Sequence, residues 1–256
     1  MIRRAAWVLF TIVGTLPASA QTPADAPVEF LPRSVFHMGA EHLSGDDPRF
    51  IWDANLGGEV DLIDFGRGRV TFFGNYQVIL GNEFKEFDPN QASYILEGSV
   101  SARVPEVEVA AVFYHQSRHL GDRDNTQAVE WNMVGVRARR SWIAGATHVD
   151  ARADVRGVIQ RTFVDYRWEF DGRVRADHVL RPGTGVLLAG AVRHLGVDGS
   201  QNRGGQTGIR GEAGVRFDGG GGAVELFIAG ERRIDPYALQ FSTKTWFTAG
   251  FRLLSR

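Results

Sequence analysis

Apolar and polar residues alternate along most of the chain in segments of about ten, the period of a strand with two unlike faces. In the stretch 50–62, Phe50, Trp52, Ala54, Leu56, Gly58, Val60 and Leu62 share one face, against Asp53, Asn55, Glu59 and Asp61 on the other. Further on, Thr147, Val149, Ala151, Ala153 and Val155 oppose His148, Asp150, Arg152, Asp154 and Arg156. Twelve such segments are expected, starting near residues 34, 50, 70, 93, 107, 127, 143, 166, 185, 207, 223 and 243. The polar faces are too charged for the core of a soluble sandwich, and the apolar faces too continuous for one wet side. An all-β chain with an apolar outside and a polar, ion-paired inside is the pattern of a transmembrane antiparallel β-barrel. Closure also removes the strand edges that lipid cannot satisfy.

Connection lengths orient this barrel. Tight turns are expected at 66–68, 105, 139–141, 181–183 and 219–222. Longer, more polar connections are expected at 82–91, 118–126, 158–165, 196–206 and 234–241. Short periplasmic turns alternating with longer extracellular loops is the outer-membrane asymmetry, and an even strand number puts both termini on the periplasmic side. The last strand ends in Phe251, Arg252 and Leu253, an apolar and aromatic signal of the kind that barrel assembly machinery reads.

The first residues read differently. Arg3 and Arg4 precede a short apolar stretch, broken by Pro17 and followed by Ala18, Ser19 and Ala20. That is the form of a cleaved secretory signal peptide over residues 1–20. A periplasmic leader is then expected over 21–32 and the barrel over 33–256. Removing Arg3 and Arg4 from 29 basic residues leaves 27 against 30 acidic ones, so nothing here recruits nucleic acid. The chain has no cysteine, which excludes disulfides, thiolate metal sites, a thiol nucleophile and a lipidated cysteine anchor.

One stretch departs from the barrel pattern. Val107, Val109, Ala111 and Phe113 form an apolar, lipid-facing row, and period two places His115 and Ser117 on the same row at its extracellular end. Polar side chains facing lipid call for a reason. A His two residues before a Ser on a strand resembles outer-membrane phospholipase A and lipid A deacylase barrels. The resemblance implies an exterior acyl-hydrolase site, with His115 as general base and Ser117 as nucleophile. A symmetric hairpin would set Glu130 opposite His115 as the third member. Those families place Asn after the Ser where Arg118 stands here, and Asn125 and Asn132 do not match the phospholipase spacing of its Asn.

A longer run, Tyr114, His115, Ser117, His119, Leu120, Gly121 and Asp122, resembles an uncharacterised family of bacterial outer-membrane proteins carrying Tyr-His-x-Ser-x-His-Leu-Gly-Asp. It departs from that family at Arg123, where an acidic residue is expected. The plainer reading makes His115, Ser117 and His119 a polar rim against lipopolysaccharide headgroups. Asp122 and Asp124, with Asn125, are oxygen donors of the type that binds Ca²⁺, although nothing completes the ligand set.

The lumen offers a second candidate. His148, Asp150, Arg152, Asp154 and Arg156 face Arg167, Glu169, Asp171, Arg173 and Arg175 across one hairpin. Interleaved signs predict a lumen filled by ion pairs, since buried charges need partners. An open lumen with arginine tracks would instead make a narrow channel favouring anions, including acidic oligosaccharides.

Overall fold

The computed structural model describes residues 27–121, 123 and 127–255. Residues 1–20, where a signal peptide is expected, and most of the expected leader 21–32 lie outside them. Twelve strands run in chain order: β1 (Glu29–Leu43), β2 (Trp52–Asp64), β3 (Arg69–Gly81), β4 (Asp88–Val104), β5 (Val107–Leu120) and β6 (Val129–Ala144). They continue with β7 (Thr147–Thr162), β8 (Tyr166–Arg181), β9 (Thr184–Val197), β10 (Gln206–Asp218), β11 (Gly222–Ile234) and β12 (Thr243–Ser255). Each strand pairs antiparallel with its sequence neighbours, and β1 closes the ring on β12.

Connections at one end span 65–68, 105–106, 145–146, 182–183 and 219–221. Those at the other span 44–51, 82–87, 121–128, 163–165, 198–205 and 235–242. Both described ends of the chain lie with the tight turns, the periplasmic side of an outer-membrane barrel.

Several boundaries differ from expectation. The sixth hairpin turns at Gly145 and Ala146, and residues 139–141 lie within β6. Gly145 adopts φ 61°, which a two-residue turn requires and which an apolar context conceals. The polar Arg139, Arg140 and Ser141 stand near the periplasmic rim, where Arg140 pairs with Glu106 at 2.7 Å. β1 begins at Glu29, four residues before 33, with Leu31 at φ 52° beside a register shift between Phe30 and Arg33. Phe50 precedes β2, in the connection, and packs with Leu43, Ile79 and Trp246.

Alternation otherwise sorts the side chains by face. Phe72, Phe113, Ile228 and Phe247 are exposed outside, while Asp53, Glu97, Asp154, Glu169 and Glu225 are buried within. The inner surface at the extracellular end is apolar, which alternation alone did not predict. Tyr114, Val129, Trp131, Met133, Val164, Tyr166, Leu195 and Ile234 form one cluster there. The 235–242 connection joins this cluster to the one around Phe50: Leu239 packs on the first and Tyr237 on the second. Gln91 Nε2 donates to the Pro236 carbonyl at 3.1 Å, and Arg118 Nη1 donates to the Asp235 carbonyl. An extracellular loop is therefore folded into the barrel mouth and fastened from the wall.

Arg203, in the 198–205 connection, locks it further, with Nη2 donating to Asp165 at 2.5 Å and Nη1 to Asp235 at 2.8 Å. Burial alone would lower the Arg203 pKa, but its bonds to these carboxylates more than offset that and hold it above its ordinary value.

Candidate functional site

β5 carries the stretch singled out by the sequence, and its alternation splits that stretch between two faces. Phe113, His115, Ser117 and His119 stand on the outer row, while Tyr114, Gln116 and Arg118 are buried within. His119 belongs to the strand and not to the following loop, because β5 runs to Leu120. Its ring meets Tyr94 edge-on at 5.6 Å, and Tyr94 in turn lies 4.9 Å from Tyr76.

The third member of the outer group is Asn132. In the β5–β6 register His115 faces Asn132, and Ser117 faces Glu130. The expected opposition of Glu130 to His115 is therefore corrected by two residues. Its cause is the length of the 121–128 connection, and a shift of two keeps both residues on the outer face.

His115 Nδ1 lies 2.7 Å from Asn132 Oδ1. Asn132 Nδ2 donates to Gln160 Oε1 at 3.0 Å, which aims the Asn132 carbonyl at the imidazole. With Nδ1–H donating to Asn132, the ring keeps its lone pair on Nε2, the nitrogen a serine base needs. Residues two apart on a strand sit roughly 6.6–6.8 Å apart at the backbone, so His115 and Ser117 side chains share one small exterior area. On the β4 side the wall is apolar or aromatic, with Leu96 opposite His115 and Tyr94 opposite Ser117, while on the β6 side it is polar, with Asn132 and Glu130. The arrangement brings a hydroxyl, an imidazole and an amide together on the outward face.

Arg118 cannot enter that site. Its side chain points inward, where it crosses the Trp131 ring at 5.4 Å. The motif thus serves two structures. Tyr114 Oη donates to Gln116 Oε1 at 2.7 Å inside the barrel, below the mouth cluster. Gly121 is needed for close approach, since a Cβ there would lie 2.0 Å from the Pro89 carbonyl oxygen. Asp122 and Asp124 lie outside the described residues. Among the described residues no group of three or more His, Asp or Glu is placed to hold a metal ion.

Beneath the mouth the lumen holds a cavity of about 760 Å³ lined by Arg33, Glu97, Arg152, Glu169, Arg173 and Arg233 among others. The proposed ladder is present in part. His148 pairs with Asp150 at 3.1 Å, Arg152 with Asp154 at 2.6 Å, and Arg156 with Glu169 at 2.5 Å. Asp171 and Arg173 pair along their own strand at 2.8 Å, and Arg175 reaches Glu225 at 2.6 Å.

Arg167 is not a member. A register shift between Tyr166 and Trp168 turns Tyr166 inward and leaves Arg167 exposed. The sequence reading also confined the ladder to one hairpin. Arg137 joins Glu97 at 2.6 Å and Asp154 at 2.8 Å, while Glu225 accepts from Arg175, Arg216 and Arg252. Arg233 joins Glu231 and Asp53. These partners stand at inner positions, so alternation marked them as polar; neighbouring strands supply most of the pairs, and the reaches of Arg175 to Glu225 and of Arg233 to Asp53 need the closed ring.

No protein-family model matches the chain, and no curated protein sequence does. Solved structures show the same fold at low identity. The outer-membrane phospholipase A from Escherichia coli is 11% identical, with 88% of this chain and 97% of that one covered and a TM-score of 0.53. A calcium-bound phospholipase dimer from Salmonella typhi is 11% identical over 87% and 90%, also at 0.53. An outer-membrane channel from Pseudomonas putida F1 is 13% identical over 92% and 99%, with the same score. The chain has the fold of an integral outer-membrane β-barrel. An enzyme and a channel match it equally well, so the fold leaves the chemistry to the side chains.

Proposed function

We propose that the protein is an outer-membrane lipid acyl hydrolase working from the barrel exterior, with Ser117 as nucleophile, His115 as base and Asn132 as orienting group. The observation that carries this reading is the 2.7 Å contact between His115 Nδ1 and Asn132 Oδ1 on the lipid-facing row. A rim residue needs no amide holding one imidazole nitrogen while the other is left for a neighbouring hydroxyl. Ser117 Oγ attacks the ester carbonyl carbon as its proton passes to His115 Nε2. The leaving alcohol takes that proton, and water then releases the fatty acid from the acyl-serine by the same base. The substrate class is phospholipid or lipid A, whose acyl esters are reached from the outer leaflet. The filled mouth supports a scaffold role for the lumen over a solute path.

The test is fatty-acid release from phospholipid or lipid A vesicles by the refolded barrel, with and without Ca²⁺. Release should fall by about three orders of magnitude or more in Ser117→Ala and His115→Asn, with heat-resistant migration retained. Absence of release under every condition returns His115, Ser117 and His119 to a polar rim at the lipopolysaccharide headgroups.

A further inference from the structure

A second exterior feature lies on β9 to β12, away from the His115 row. Gly190, Gly211 and Gly230 stand side by side on three neighbouring strands, in register with one another. Val174 pairs with Gly190 at one end of the row, and Phe247 pairs with Gly230 at the other. All five positions face outward, as do the exposed Leu188 and Ile228 beside them. The row leaves a groove of about 690 Å³ across the lipid-facing wall.

Neither turn geometry nor crowding explains these glycines. None of the three has a positive φ, and a Cβ at Gly211 would meet nothing within 4 Å. Glycine inside a strand loses entropy on folding and contributes no packing, so three in one row weaken the wall unless another molecule fills the space.

Charge above the groove indicates the filler. Arg232 is the outward residue two positions above Gly230, about 7 Å along the strand. It is exposed and donates to the Thr207 carbonyl at 2.8 Å, and among the described residues no carboxylate pairs with it. Thr207 Oγ1 contacts His194 Nδ1 at 2.9 Å, and the Trp168 ring lies 5.2 Å from the His194 ring. A cation, a hydroxyl and an imidazole under an interfacial tryptophan match a phosphate at headgroup depth. The apolar groove below matches a hydrocarbon chain.

We infer that the Gly190–Gly211–Gly230 groove and Arg232 form a binding site for a phosphate-bearing lipid of the outer leaflet, one acyl chain lying in the groove and the phosphate against Arg232. The site holds lipid without turning it over, and it does not depend on the hydrolase reading. The test uses the full chain in the Ser117→Ala background, so that no lipid is consumed. The barrel is refolded into vesicles of digalactosyldiacylglycerol, which carries no phosphate, containing bis-phosphorylated lipid A, extracted gently and weighed by native mass spectrometry. The parent should retain one lipid A. Gly211→Leu, which fills open space and so preserves folding, and Arg232→Ala should each lower that fraction about tenfold. Dephosphorylated lipid A should be retained no better than by Arg232→Ala, and inorganic phosphate should not compete. Equal retention by the parent and Gly211→Leu overturns the inference. So does equal retention of the dephosphorylated lipid, or a lipid-free dimer that Gly211→Leu disrupts.

Discussion

Asn132 carries no alternation signal beyond being polar on an outward row, yet in the proposed hydrolase it is the group that orients His115. Its Oδ1 fixes one imidazole nitrogen, and Gln160 fixes its amide in turn. Replacing Asn132 with Ala leaves the nucleophile and base in place but frees the ring to rotate and change tautomer. Fatty-acid release by Asn132→Ala should therefore fall by about two orders of magnitude, with KM for vesicle lipid little changed. Gln160→Ala, one bond further out, should cost less than about tenfold. A kcat unchanged in Asn132→Ala removes it from the site. His115 and Ser117 were legible because period two fixes a residue's face from its neighbours. Their partner was not, because cross-strand register depends on how many residues the 121–128 connection takes, which no local pattern specifies. Glu130 was the expectation from a symmetric turn, and the real turn displaced it to Ser117.

The middle of the β7–β8 hairpin is held less by direct cross-strand attraction than the sign pattern implies, although Arg156 and Glu169 do face and pair there. In the β7–β8 register Arg152 faces Arg173 and Asp154 faces Asp171, like against like. The charges are satisfied along their own strands and across to Arg137, with Asp154 fully buried between Arg137 and Arg152. Interleaved signs identified the inner face correctly but not the pairing, because closure brings in β4, β6 and β11 from elsewhere in the chain. Asp154→Ala removes the nearest carboxylate from Arg152 and one of two from Arg137, with Glu97 left to serve both. It should destabilise the barrel by about 3 kcal/mol, the low end for breaking a buried pair, read as a lower midpoint of heat-induced unfolding. A change within about 0.5 kcal/mol would mean that the web redistributes around the loss.

The outer connections add a pH-dependent contribution. Asp47 is held well below the usual carboxylate range, first by hydrogen bonds from Arg49 and, against the opposing effect of burial, by Lys244. A depressed folded pKa gives stability that is present above the unfolded carboxylate value of about 3.9 and lost as pH falls toward the folded one. The stability difference between the parent and Asp47→Asn should accordingly be constant near neutrality and shrink below about pH 4. A difference that persists unchanged at pH 2 would place the effect in packing around Phe50.

At the scale of the whole molecule, the twelve-strand closure was readable from alternation and turn spacing, whereas the state of the lumen was not. Apolar inner residues such as Trp131, Tyr166 and Leu195 gather into a continuous cluster at the extracellular end, while elsewhere inner apolar residues such as Leu187 and Phe227 stand among charged ones. The loop that meets them, 235–242, carries Tyr237, Ala238, Leu239 and Phe241, an apolar content unlike that of a solvated connection, and grouping it with the longer polar connections passed over that signal. Its inward seat depends on Arg118 and Gln91, which reach its backbone from the wall. Below it the cavity is lined by Arg152 and Arg173, the latter with 59% of its side chain exposed and, among the described residues, Asp171 alone as an ion-pair partner. Water and anions would enter that space if the seal were removed. Asp235 N–H already bonds to the Ser242 carbonyl at 2.7 Å, so replacing residues 236–241 with Asn-Gly should close a tight hairpin and keep the Arg203 lock. In planar bilayers the parent should be silent. The shortened barrel should conduct, with anions favoured over cations because more arginines than carboxylates line the cavity. Conductance in the parent equal to that of the shortened form would show that the 235–242 loop does not seal the mouth and would restore the channel reading.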